Sequence, residues 1–96
     1  MKRMHVMLVG CGEHSTENLI PSLIAIPSIE VKGIADPSTE AVAKALRWFP
    51  AAKVINHEAV TSNAIGEFDA LVVAAPPQVH ERVSQLAIGL GKPIFV

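Results

Sequence analysis

Val6-Met7-Leu8-Val9-Gly10-Cys11-Gly12-Glu13-His14-Ser15 decides the fold: an apolar run breaks into a glycine turn, and an amphipathic stretch follows. A buried strand, a glycine turn and a helix, in that order, build a pocket for a dinucleotide pyrophosphate. Gly10 permits the tight turn off the strand. Gly12, with no Cβ, lets the backbone approach the phosphates. The helix that follows aims unpaired N–H groups and the positive end of its dipole at them. The third glycine of the usual fingerprint is replaced by Ser15, so the motif is imperfect and its meaning depends on its surroundings.

The surroundings agree with it. The next apolar run, Val31-Lys32-Gly33-Ile34-Ala35, ends in Asp36. An acidic residue at the tip of the second strand, about 20 residues beyond the glycines, accepts hydrogen bonds from the adenosine ribose and repels a 2′-phosphate. Pro37-Ser38-Thr39 supplies no cation to receive such a phosphate, so the pattern favours NAD over NADP. Asp36 can also simply start a turn, with Ser38 or Thr39 capping a helix. The glycine loop upstream tips the reading toward the ribose.

Composition narrows the alternatives. Ninety-six residues, half of them apolar, suffice for one small domain with a modest core. A net charge of −1 and 4% aromatic content leave no basis for nucleic-acid binding. No apolar run is long enough to span a bilayer. The single cysteine excludes an internal disulfide and fits a reducing, cytoplasmic setting. Met1-Lys2-Arg3 and the stretch ending at Cys11 imitate a short lipoprotein signal. That stretch contains His5, however, and is needed as the first strand.

Strands and helices alternate along the whole chain, the pattern of a doubly wound α/β domain with a parallel sheet covered on both faces. Strands are expected at 5–9, 31–35, 53–56, 70–75 and 93–96, with Lys53 marking the third as near an edge. Val42, Ala45, Leu46 and Phe49 form one helical stripe, stopped by Pro50. Val79, Val83, Leu86, Ala87 and Leu90 form another, ended by Gly89 or Gly91. A weaker helix is expected over 57–65. Leu19, Ile20, Leu23 and Ile24 give the first helix a buried face despite Pro21. Either that helix starts near His14 and kinks, or Asn18 caps it and Pro21 falls in its first turn. Right-handed crossovers give the strand order 3-2-1-4-5, with ligands at the carboxyl ends of the strands.

Ala74-Ala75-Pro76-Pro77-Gln78-Val79-His80 and Gly91-Lys92-Pro93-Ile94-Phe95-Val96 complete the set. With the glycine loop and Ala35-Asp36-Pro37, they make the chain resemble the amino-terminal domain of the Gfo/Idh/MocA family over essentially its full length. The resemblance implies an NAD(P)-dependent oxidoreductase of sugars, cyclitols and related hydroxyl compounds, with a possible homo-oligomeric assembly. It places Gly10, Cys11, Gly12, His14 and Ser15 along the pyrophosphate and Asp36 at the adenosine ribose. Ala75, Pro76, Pro77 and His80 would border the nicotinamide ribose. The family continues past the fifth strand with Glu-Lys-Pro, whose lysine is usually catalytic, and with a substrate domain. The sequence stops at Val96, so residues 1–96 are expected to form a cofactor domain without catalytic residues of its own.

Other residues have plainer readings. Lys92 falls at the starting end of strand five, away from the site. Cys11 reads as a packing residue, Trp48 as a helix residue partly covered by the core, and Glu13 as pointing to solvent. His5 and His57 lack metal-ligand spacing. From another functional class, a non-catalytic NAD-sensing or assembly module shares the same cofactor site. A methyltransferase built on S-adenosylmethionine shares the glycine loop and the acidic strand end, but the Ala-Pro-Pro and Gly-Lys-Pro segments fit the oxidoreductase pattern better.

Overall fold

The computed structural model describes residues 3–10, 20–56, 60–74 and 77–95. Five parallel strands, β1 (Met4–Val9), β2 (Ile29–Ala35), β3 (Lys53–Val54), β4 (Ala70–Val73) and β5 (Ile94–Phe95), lie in the order β3-β2-β1-β4-β5. This is the expected order. Helices α1 (Ile20–Ile24), α2 (Thr39–Trp48), α3 (Ser62–Gly66) and α4 (Pro77–Gly89) connect them. Among the described residues, no helix is long and apolar enough to cross a membrane.

Strand alternation divides the core into two layers. Val6 and Leu8 of β1, with Ala70 and Val72 of β4, meet Ile20 and Leu23 of α1 and Val42 and Ala45 of α2. Met7, Val9, Leu71 and Val73 face the other way, onto Ile65 of α3 and Val83 and Ala87 of α4. The central strands are thus apolar on both faces, which is why they read as continuous apolar runs rather than alternating ones.

β2 departs from a plain strand. Val6 pairs with Val31 but Met7 pairs with Gly33, so Lys32 is the extra residue of a bulge. The bulge corrects parity: Val31 and Ile34, three apart, face the same layer, which an unbroken period of two forbids. Gly33 then lies under the Phe68 ring. A Cβ built on it falls 2.4 Å from Phe68 Cζ and 3.1 Å from Ile55 Cδ1, so only glycine fits without rearrangement.

The helix ends follow from local chemistry. Ser38 caps α2 by accepting from the Ala41 N–H at 3.1 Å, and Thr61 caps α3 by accepting from that of Ala64 at 3.4 Å. α3 therefore starts at Ser62 rather than at 57, because Thr61 is extended and turns the chain into it. At the far end of α4, Gly91 takes φ +69°. The Gly91 N–H donates to Ile88 O at 3.0 Å and the Lys92 N–H to Ala87 O at 2.9 Å, a Schellman closure that resolves the choice between Gly89 and Gly91. Leu90 lies beyond the turns that meet the sheet and is exposed, as is Ile24 at the last turn of α1; neither joins the core as expected. β3, β4 and β5 are shorter than expected, and Pro93 serves only as an acceptor, from the Leu71 N–H, ahead of β5. Pro21 is the second described residue of α1; the choice between a His14 start and an Asn18 cap lies outside the described residues.

Candidate functional site at the carboxyl edge

Three strand ends are tied side by side. The Gly10 N–H donates to Ala35 O and the Ala74 N–H donates to Val9 O, both at 2.8 Å. These two bonds align the ends of β2, β1 and β4, so Gly10, Asp36 and Ala74 stand at one edge of the sheet. Gly10 has φ +89°, a conformation L side chains rarely adopt, and this is what turns the chain sharply off β1.

Asp36 follows directly. Its Oδ1 accepts from the Ser38 N–H at 2.8 Å, and Ser38 in turn caps α2. The turn-starting role is therefore real. It does not exhaust the group, since a carboxylate has two oxygens and about four acceptor sites. The Asp36–Ser38 contact fixes where the carboxylate stands, beside the end of β1.

On the other side of β1, α4 starts at Pro77, a favoured first helical residue because its missing N–H needs no partner there. His80 lies in the first turn, half-buried, with Nδ1 3.4 Å from Ser84 Oγ one turn on. The Ser84 contact was not read from the sequence, although the i, i+4 spacing of two polar residues on one helix could have revealed it. Arg82, on the same helix, donates to Val60 O at 3.1 Å and ties α4 to the approach to α3. Lys92 precedes β5, at the opposite edge from His80, as expected. Cys11, Gly12, Glu13, His14, Ser15, Ala75, Pro76 and His57 lie outside the described residues.

The described residues also form a groove of about 260 Å³ at the amino edge, lined among others by Arg3, Leu23, Ile24, Glu30, Trp48 and Phe49. Trp48, read as partly covered, is 55% exposed there. This concavity is remote from the strand ends where the expected site residues gather.

The sheet order and the alignment of Gly10, Asp36 and the start of α4 define a Rossmann-type nucleotide-binding domain. The chain belongs to the Gfo/Idh/MocA oxidoreductase family: the family model for its NAD-binding Rossmann fold matches residues 4–96. A dehydrogenase from Chromobacterium violaceum is 30% identical, superposes with a TM-score of 0.83, and is matched over 100% of this chain and 28% of its own. The 3-ketoreductase KijD10 from Actinomadura kijaniata, solved with NADP, is 24% identical with a TM-score of 0.77, over 97% of this chain and 29% of its own. The apo scyllo-inositol dehydrogenase from Lactobacillus casei is 15% identical with the same TM-score of 0.77, over 97% and 27%. The last two similarities bear on the fold alone. The chain thus spans less than a third of the length of these solved relatives. A search of the curated proteins gave no match.

Proposed function

We propose that residues 1–96 are the cofactor-binding part of an oxidoreductase that transfers hydride to or from a sugar, cyclitol or related hydroxyl compound, and that the cofactor is NAD in preference to NADP. Gly10, Cys11, Gly12, His14 and Ser15 hold the pyrophosphate, through backbone N–H groups and the start of the following helix. Asp36 accepts from the adenosine ribose hydroxyls. Ala75, Pro76, Pro77 and His80 border the nicotinamide ribose. When bound, the dinucleotide supplies the hydride chemistry; these residues orient it. None of them is assigned an acid or base role, so this stretch binds cofactor without turning over substrate. We place the protein in the cytoplasm, as a possible homo-oligomer.

The observation that carries the reading is the pair of lateral bonds, Gly10 to Ala35 and Ala74 to Val9, which bring the glycine turn, the acidic strand end and the start of α4 to one edge. The sugar and cyclitol substrate class draws support from family membership. The NAD preference draws support from Asp36 and from the uncharged Pro37-Ser38-Thr39 after it.

Calorimetric titration with NAD and, separately, NADP tests the proposal. NAD is expected to bind more tightly, and Asp36→Ala to weaken it by about 1.5–3 kcal/mol, the range for hydrogen bonds to a charged acceptor. Tighter binding of NADP overturns the ribose assignment. Binding of neither overturns the cofactor site in this chain.

A further inference from the structure

We infer that Ser84 is a positioning residue for His80: its hydroxyl donates to Nδ1 and holds the neutral imidazole as the Nε2–H tautomer, so that Nε2–H is the donor offered at the carboxyl edge. The ligand half of this inference rests on the cofactor reading above, in which the acceptor is an oxygen of the nicotinamide ribose or carboxamide.

The argument starts from the contact itself, Ser84 Oγ to His80 Nδ1 at 3.4 Å, between partly buried residues one helical turn apart. Side chains at this spacing stack along one face of a helix, so the meeting is built into α4. The contact itself allows either tautomer, and we take the hydroxyl as donor because that gives its proton a partner within the protein. Serine carries one hydroxyl proton, and His80 Nδ1 is the side-chain partner found for Ser84 among the described residues. With the proton on Oγ directed at Nδ1, Nδ1 is the acceptor and the ring proton sits on Nε2. Helix propensity does not explain the serine: an interior helical position favours alanine, and serine tends to compete with the backbone there.

The position of the residue then matters. With Nδ1 engaged by Ser84, Nε2 is the ring nitrogen left for a ligand. His80 lies in the first turn of α4, which begins at Pro77, beyond the end of β4 at Val73. Ser84 therefore decides whether His80 presents a donor or an acceptor to whatever occupies that edge. A ribose or carboxamide oxygen needs the donor.

The test combines nitrogen-15 NMR of histidine-labelled chain with calorimetry against NAD. In the parent protein at alkaline pH, His80 Nδ1 is expected to resonate as an unprotonated, hydrogen-bonded nitrogen. Ser84→Ala moves it toward the position of a bare acceptor, and Ser84→Thr, which keeps the hydroxyl, returns it. NAD affinity follows the same order, falling roughly two- to tenfold in Ser84→Ala, the worth of one ordinary hydrogen bond, and recovering in Ser84→Thr. His80→Ala abolishes the effect of Ser84→Ala, because the serine acts only through the ring. A protonated Nδ1 in the parent, or an Nδ1 signal indifferent to Ser84→Ala, overturns the inference whatever NAD does. A moved signal with unchanged NAD affinity, in a chain that binds NAD, overturns the positioning role. Failure of the parent to bind any dinucleotide is a failure of the cofactor reading, seen before any substitution. It overturns the ligand half of the inference, while the NMR arm still judges the Ser84–His80 bond.

Discussion

Among the described residues, the two edges of the sheet are braced differently. At the amino edge, a carboxylate holds a backbone N–H and charged side chains pair with one another. The Asp69 carboxylate accepts from the His5 N–H at 2.8 Å, while the Asp69 N–H donates back to His5 O at 2.7 Å. Glu30 pairs with Lys32 at 3.0 Å and lies 3.7 Å from His5 Nε2. At the carboxyl edge, the backbone aligns the strand ends, and the side chain placed by a turn, Asp36, is held by a backbone N–H. The groove at the amino edge, with its exposed tryptophan, lies apart from the strand ends where the proposed site gathers.

The bulge links the two edges, since it sets the register of β1 against β2 from end to end. Its replacement is expected to have the largest effect on the molecule as a whole. Gly33→Val puts a branched side chain where Phe68 and Ile55 already stand, and Phe68 is itself buried. Overpacking of this kind costs about 1–3 kcal/mol, and the β-branch places this variant at the upper end. Urea denaturation should show the loss, and adding Phe68→Leu should recover part of it. An unchanged midpoint would mean that the Phe68 ring swings aside freely, and that the bulge does not couple the edges.

How much of this was legible in the sequence depends on which forces act locally. Buried parallel strands must be apolar on both faces, so 70–73 and 6–9 announced themselves, and crossover handedness then gave the order. The convergence of Gly10, Asp36 and the segment after β4 at one edge followed from that order. The bulge at Lys32 did not, although an isolated glycine inside a strand is its usual signal. Periodicity also overstated burial: it told that Ile24 and Leu90 share a face with core residues, but not that the helix runs past its support. The helix expected over 57–65 hid Thr61 as a cap, because it placed that residue inside the helix. The i, i+4 spacing put Ser84 and His80 on one helical face, but whether they meet depends on rotamers.

Removing Asp69 tests the amino edge alone. Asp69→Ala deletes the acceptor for the His5 N–H, and because the residue is exposed, water replaces part of what is lost. A loss of about 1 kcal/mol is expected, near the middle of the range for one hydrogen bond. Asp69→Asn, which keeps a side-chain oxygen, should recover most of it. NAD affinity should not change in either variant. If it falls in both, the edges are not independent and the contrast between them fails.

The smallest effect is electrostatic and has a definite sign. The hydrogen bond from Lys32 holds the Glu30 carboxyl below the usual glutamate range; partial burial opposes this, and the charges of Lys32, His5 and Arg3 add to the lowering. A carboxyl with a lowered folded-state pKa contributes stability that is fully present above the ordinary glutamate value of about 4.3. That contribution disappears as pH falls through the lowered value. Lys32→Gln should therefore be slightly less stable than the parent at neutral pH, with the gap closing as pH falls through that window. About 1 M salt should also shrink the gap, since exposed pairs are screened. A gap that persists in acid would assign the effect of Lys32 to its aliphatic stem packing in the bulge. The amino edge would then be braced by shape as much as by charge.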